Sequence, residues 1–323
     1  GLPPAVMGTM FLLVRLLDAI TDPIMGAIAD ATSTRWGRFR PWLLAICVPF
    51  AVSCVLVYSI PSFSDSGKVV YAVAAYIFMT LMYTAINIPY CSLGAALTSD
   101  PRESLSLQSW RFAITPIGGA LGTAFILPLA DLLYPGDRAT GIQVSMAIFG
   151  VIGCLMFVVC FATTKERVQP IKEENLNISR DVKILFRNDQ WRILSVYNFM
   201  MLVAVVIRGG AVVYYVNSVL HKGADVITVF MLGGMFASML GSVLAKPFGT
   251  RFCKVRLSFW INLVTAALGV VCFIVPVQYW LLVLGVHILI SIIQGGNGAL
   301  QWSMITDVNN YGEWKTQRRI TGM

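Results

Sequence analysis

The feature that most constrains this chain is a series of nine apolar runs, each close to or above 20 residues. An α-helix needs about 20 apolar residues to cross the ~30 Å hydrocarbon core of a bilayer. The runs cover residues 5–29, 41–60, 69–95, 107–133, 141–163, 192–219, 226–248, 257–276 and 280–305. They are apolar on all sides, without the two-residue alternation of a membrane β-barrel. We therefore predict an all-α, multi-span membrane protein.

The charged residues support this prediction and give it an orientation. Only 12% of the 323 residues are charged, whereas a soluble domain carries roughly 25%, so an ordinary soluble enzyme and a disordered chain are excluded. Of the 24 Lys and Arg residues, 19 lie in alternate loops, namely 30–40, 96–111, 164–192, 246–256 and 306–320. These loops are expected in the cytoplasm. The net charge of +8 therefore reflects topology, and we expect no nucleic-acid partner.

The sequence carries no pattern typical of catalysis. The seven cysteines lack CxxC spacing and form no Cys/His cluster, and no HExxH, GxSxG or Walker motif occurs. We expect no catalytic residues, no organic cofactor, and no metal apart from a coupling cation.

One polar stretch divides the spans. Residues 164–191 separate five runs from four and contain NISRDVKILFRND, which is typical of a short amphipathic helix on the inner surface. We predict an N-terminal bundle over 1–163, a cytoplasmic connecting loop over 164–191 and a C-terminal bundle over 192–323.

Three ionisable residues in the first run require an explanation, because each costs ~2.5–3.5 kcal/mol at mid-membrane. Arg15, Asp18 and Asp22, in RLLDAITDP, are spaced to share one helical face. Two carboxylates with a hydroxyl such as Thr21 are hard oxygen ligands suited to Na⁺ or a proton. The alternative is a structural Arg15–Asp18 ion pair with Asp22 near water. One Arg cannot neutralise two carboxylates, which favours the cation site.

Further polar residues lie in or beside other runs. Arg111, in QSWRFAITP, is either an inner-surface anchor or a donor to substrate hydroxyls, whereas Arg208, in IRGGAVVYY, lies deeper and is expected on an internal face. Asn87, Tyr83 and Trp302 offer an amide and aromatic planes, which suit sugars. Aromatic residues at span ends are also common as interface belts.

The loop GAIADATSTRWGRFRPW joins the first two runs. Its Gly-x-x-x-Asp spacing followed by Arg-x-Gly-Arg favours a gating role for Asp30, Arg35 and Arg38 over plain anchoring of the inner surface.

Three blocks in the same order resemble the glycoside–pentoside–hexuronide:cation symporters of the major facilitator superfamily. They are RLLDAITDPIMGAIAD with RWGRFRPW, YTAINIPYCSLGAALTSDPRESLSLQSWRF, and DVNNYGEWKTQRR. The resemblance implies a fold of twelve helices in two six-helix bundles around a midplane sugar site, working by alternating access. It also implies that this chain holds helices two to ten, so that the N-terminal bundle lacks its first helix and the C-terminal bundle its last two.

The resemblance also implies residue roles. Asp18 and Asp22 match the family's paired aspartates, which hold Na⁺, Li⁺ or H⁺, and Thr84 matches a hydroxyl near that cation. Tyr83 and Arg111 match sugar-cavity residues.

Two positions depart from the best-studied family member. Asn87 replaces a sugar-binding aspartate there, and Cys91 replaces a sugar-stacking tryptophan.

We therefore expect a cation-coupled (Na⁺ or H⁺, with Li⁺ possible) symporter of a glycoside or related sugar. It would act as a monomer in the lipid bilayer of a bacterial inner membrane. The expected substrate contacts are Arg15, Tyr83, Asn87, Arg111 and Trp302. Two alternatives remain at this point: a transporter of lipids or other amphiphiles on the same fold, and a sugar sensor that does not transport.

Overall fold

Nine long α-helices run through the part of the chain that the computed structural model describes, residues 4–59, 64–168, 186–221 and 224–316. In chain order they are α1 (Pro4–Ala31), α2 (Arg40–Val57), α3 (Asp65–Leu97), α4 (Pro101–Leu133), α5 (Arg138–Thr163), α6 (Asp189–Tyr214), α7 (Ala224–Arg251), α8 (Lys254–Ile274) and α9 (Trp280–Thr316). A π-helical turn, Tyr215–Val219, follows α6 directly, and a 3₁₀ turn, Val277–Tyr279, precedes α9.

Eight of these helices, α2 to α9, are long and apolar enough to cross a membrane. The remaining helix, α1, is 28 residues long, but Arg15, Asp18 and Asp22 interrupt its apolar sequence. The predicted all-α, multi-span membrane protein is thereby confirmed.

Several helices extend into the predicted loops, two of them by ten residues or more. α4 begins at Pro101 and α9 continues to Thr316, although 96–111 and 306–320 were both predicted to be loops. The reason is that an apolar run marks only the part of a helix suited to hydrocarbon, whereas a helix can continue into water with polar side chains. The predicted amphipathic helix, NISRDVKILFRND at 177–189, lies outside the described residues except for 186–189.

Side-chain caps set where two helices begin. The Asp137 carboxylate accepts a hydrogen bond from the backbone N–H of Thr140 at the start of α5. The Asn188 side-chain oxygen accepts from the N–H groups of Gln190 and Trp191 at the start of α6. Both occupy N-terminal donors that have no partner within the helix.

Two compact units divide the chain. Unit 1 comprises Gly1–Thr98, Ala120–Ile184 and Gly312–Met323, and unit 2 comprises Ser99–Gly119 and Leu185–Tyr311. The two halves of α4 therefore belong to different units. The division predicted at 164–191 stays a prediction.

Unit 1 is held together by α2, which packs against both α3 and α5, while α1 packs against α3. The centre of this packing is a buried cluster made up of Met25, Ala29, Phe39, Leu43, Cys47, Ile86, Leu93 and Ala96. Consequently the buried face of α1 is fixed against α3.

In unit 2, α7 and α9 approach closely at two glycines. A Cβ on Gly241 would overlap the backbone carbonyl of Ile292, and a Cβ on Gly295 would overlap the backbone carbonyl of Ser238. The Ser242 hydroxyl also donates to the Gly295 carbonyl over 2.9 Å. Small residues allow membrane helices this approach.

We predict that Gly241→Ala destabilises the protein, because the added methyl meets backbone that cannot rotate away. The matched control is Gly285→Ala on α9, where a Cβ has no heavy atom within 4 Å and alanine favours the helix by about 1 kcal/mol. Thermal unfolding in detergent should show a lower Tm for Gly241→Ala and an equal or higher Tm for Gly285→Ala. Equal Tm values for both variants would contradict the packing described.

Candidate functional site

The packed face of α1 carries both predicted cation ligands, Asp18 and Asp22. Val14, Met25 and Ala29 on this helix are buried, and Asp18 and Asp22 are half-buried. Their spacings of three or four residues place all five on one side of the helix. Both carboxylates therefore lie on the packed side of α1, away from its exposed leucines.

Asp22 is paired with a hydroxyl on the neighbouring helix. Thr84 of α3 is buried, and its Oγ1 donates to Asp22 Oδ1 over 2.9 Å. The structure therefore brings together these two predicted residues, which are 62 positions apart in the sequence.

Asp18 is only partly satisfied. Arg15 Nη1 lies 3.0 Å from Asp18 Oδ2, although the Arg15 side chain is 78% exposed and that of Asp18 only 16%. The other carboxylate oxygen, Oδ1, is buried and has no hydrogen-bond partner among the described residues. The Arg15–Asp18 ion pair expected as an alternative from the sequence is therefore present. It occupies only Oδ2 of Asp18 and leaves Oδ1 without a hydrogen bond from the described residues.

Two of the predicted sugar contacts, Tyr83 and Asn87, lie on α3 of unit 1. Tyr83 is exposed, with its ring centroid 6.2 Å from that of Phe50. Asn87 lies one turn further on, and its Oδ1 accepts from the Cys91 thiol at 3.7 Å. The two positions that differ from the best-studied family member therefore contact each other.

A carboxylate that the sequence analysis did not single out holds the loop between α1 and α2. Glu166, just after α5, accepts hydrogen bonds from the backbone N–H groups of Arg38, Phe39 and Arg40 over 2.8, 2.9 and 3.0 Å. Gly37, at φ +112°, has no room for a Cβ because the Glu166 carboxylate lies there. The loop is therefore shaped around this carboxylate.

Two arginines at this loop, Arg35 and Arg40, have aromatic partners. The guanidinium of Arg40 lies 4.6 Å from the Phe161 ring and donates to the Phe161 carbonyl over 2.5 Å. That of Arg35 lies 4.6 Å from the Trp36 ring, and Asp30 is half-buried near the end of α1. The gating role predicted for Asp30, Arg35 and Arg38 stays a prediction.

Arg111 and Trp302 meet within unit 2. The Arg111 guanidinium lies 4.7 Å from the Trp302 ring centroid and 5.8 Å from that of Phe112. Its Nη1 is 3.5 Å from Oε1 of the buried Gln108. A cation over an aromatic face is an attractive arrangement, and here it presents a planar donor group beside a planar ring.

Two polar clusters of unit 2 were not predicted. Tyr197, Asn262 and Asn297 form a hydrogen-bonded triangle across α6, α8 and α9, with distances of 3.1 to 3.3 Å. Lys254 pairs with Asp307 over 2.7 Å. The two asparagines lie within apolar runs, and that signal could have identified them.

Apolar helices with carboxylates, amides and arginines on their packed faces are typical of membrane transport proteins. The whole chain, residues 1–323, matches the family described as MFS/sugar transport protein. The chain belongs to this family, and the predicted major facilitator fold is confirmed.

Named relatives agree with this assignment. The inner membrane symporter YicJ of Escherichia coli K12 is 40% identical over 323 residues, covering 100% of this chain and 70% of YicJ. The isoprimeverose transporter of Lactiplantibacillus pentosus is 31% identical over 344 residues, covering 100% of this chain and 68% of that protein. The crystal structure of the E. coli fucose:proton symporter FucP matches with a TM-score of 0.61 at 12% identity, covering 98% and 89% of the two chains. This last similarity shows the fold.

We predict that Glu166→Gln lowers the free energy of unfolding by about 1–3 kcal/mol, because an amide oxygen accepts less strongly and its NH₂ faces backbone donors. The control is Lys165→Gln, since Lys165 is adjacent and exposed. Unfolding in denaturant should separate the two variants. If they unfold at the same denaturant concentration, Glu166 does not hold the loop.

Proposed function

We propose that the protein is a cation-coupled symporter of a glycoside or related sugar, working by alternating access. The observation that carries the proposal is the buried, unpartnered Oδ1 of Asp18 on the same helix face as Asp22. The names of two relatives that match the whole length of this chain, a symporter and an isoprimeverose transporter, support the same class of activity.

The proposed cation site consists of Asp18, Asp22 and Thr84. Carboxylate and hydroxyl oxygens suit a small hard cation, so Na⁺ or H⁺ is the proposed coupling ion and Li⁺ is compatible with the same ligands. The Arg15 guanidinium neutralises one carboxylate at most. A bound monovalent cation would neutralise the other and so remove the cost of a charge on a packed helix face.

The proposed sugar contacts are of two kinds. Trp302 offers a ring face, and Arg111 beside it offers several N–H donors in a fixed plane, which suits the apolar face and the hydroxyls of a sugar respectively. In unit 1, the Tyr83 hydroxyl, the Asn87 amide and the exposed Arg15 guanidinium are the proposed donors and acceptors.

Coupling follows from thermodynamic linkage. If a bound cation raises the affinity for the sugar, the sugar raises the affinity for the cation by the same factor. The segment from Asp30 at the end of α1 to Arg35 and Arg38 in the following loop is the proposed gating element, because Glu166 holds the loop backbone in one defined conformation.

We predict that Asp22→Asn raises the cation concentration for half-maximal uptake at least about tenfold, which corresponds to ~1.4 kcal/mol of lost binding. The amide retains an oxygen that can accept from Thr84, so the contact between α1 and α3 is kept while the charge is removed. The measurement is uptake of a labelled glycoside by vesicles containing the full-length protein. The control is Asp131→Asn, an exposed carboxylate. An unchanged cation dependence in Asp22→Asn would rule out this cation site.

We predict that Arg111→Lys raises the Michaelis constant for the sugar about tenfold and leaves the cation dependence unchanged. Lysine keeps the charge but loses the planar donor group and the stacking on Trp302. Arg102→Lys is the control, because Arg102 is exposed at the start of α4. If both variants transport like the wild type, Arg111 does not bind the sugar.

A further inference from the structure

Arg208 is a cation within an apolar helix of unit 2. It lies in α6 between the exposed, apolar Val206 and Ile207 and two glycines. An arginine side chain stays charged in proteins, so this charge needs a partner or a ligand in surroundings that do not solvate it.

The partners of Arg208 within the described residues are neutral. Its Nη1 donates to Gln294 Oε1, and its Nη2 donates to Ser291 Oγ over 2.6 Å; both acceptors lie on α9. No carboxylate of the described residues lies within 4.0 Å of the guanidinium. Since a guanidinium has five N–H donors, the two neutral contacts position the group without neutralising it.

The guanidinium borders a cavity of about 530 Å³, which is within the range of small-molecule pockets. Apart from Arg208 and His287 its walls are almost wholly apolar, with Val212, Phe230, Cys272 and Val283 contributed by four different helices. A sugar would find few hydrogen-bond partners on these walls. The apolar chain of a ligand, in contrast, could move from lipid into the cavity at little cost in free energy.

The π-helical turn helps to form the same cavity. Tyr215 and Val219, the first and last residues of the turn, line its wall, while Val216 between them is fully buried. Single π-helical turns are frequent at functional sites, and this turn keeps the end of α6 beside the cavity.

We propose that this cavity binds an amphiphilic monocarboxylate, with its apolar chain in the cavity and its carboxylate on the remaining N–H donors of Arg208. A planar guanidinium matches the two oxygens of a carboxylate. None of the lining residues belongs to the proposed cation site or sugar contacts, so this ligand site is independent of the symport proposal.

The first test measures binding of radiolabelled decanoate to the purified full-length protein in phosphatidylcholine nanodiscs. Decanoate should bind at least about tenfold more tightly than decanol, which has the same chain without the charge. Arg208→Gln should raise the dissociation constant for decanoate by about tenfold or more. Arg208→Lys, which keeps the charge but loses the planar donor group, should bind decanoate more weakly than the wild type and more tightly than Arg208→Gln, so the result does not depend on a variant that fails to fold.

The second test fills the cavity and leaves Arg208 intact. Gly269 lines the cavity, and a Cβ there has no heavy atom within 4 Å, so Gly269→Phe should abolish decanoate binding. The matched control is Gly153→Phe on α5, where a Cβ also meets nothing within 4 Å and which does not line the cavity. The control should bind decanoate like the wild type.

Several results would overturn the proposal. These are no decanoate binding by the wild type, equal affinity for decanol, or unchanged affinity in Arg208→Gln or Gly269→Phe. The same binding measurement is repeated in nanodiscs that contain phosphatidylglycerol. If this lipid displaces decanoate and the protein binds it more tightly than decanoate, the site binds a lipid headgroup, and the proposed carboxylate ligand is wrong.

Discussion

A carboxylate on a packed helix face inside a bilayer must be neutralised by a group close to it, and this constraint organises unit 1. Asp22 accepts a hydrogen bond from Thr84, whereas Asp18 has Arg15 on one oxygen and, among the described residues, no hydrogen-bond partner on the other. The packed face of α1 therefore contains a polar position that is incompletely satisfied. An occupied cation site would complete it, and that is why cation binding and helix packing are linked in the proposed mechanism.

The parts of the structure that could be predicted from the sequence are those set by local composition. Nine apolar runs predict nine helices, and the spacing of Asp18 and Asp22 predicts a shared face, because both follow from helix geometry alone. The predicted end of the last run, residue 305, falls short of Thr316. The polar C-terminal end of α9 makes tertiary contacts such as the ion pair between Lys254 and Asp307. A search for apolar runs does not detect such contacts.

The contacts that could not be predicted join residues far apart in the chain. Glu166 meets the backbone of Arg38 across 128 positions, and Tyr197 meets Asn297 across 100. The sequence position of Arg111 is compatible with both an inner-surface anchor and a substrate contact. Its place over Trp302 depends on how α9 packs against the start of α4, and local sequence does not carry that information.

The most direct test of the account is the amount of coupling cation bound by the purified full-length protein at equilibrium, with Na⁺, Li⁺ and proton release each measured by titration. The account predicts saturable binding of a single monovalent cation or proton, strengthened by a transported glycoside and absent from an Asp18→Asn, Asp22→Asn double variant. Equal binding by the wild type and the double variant would contradict the central claim that these two carboxylates form the cation site.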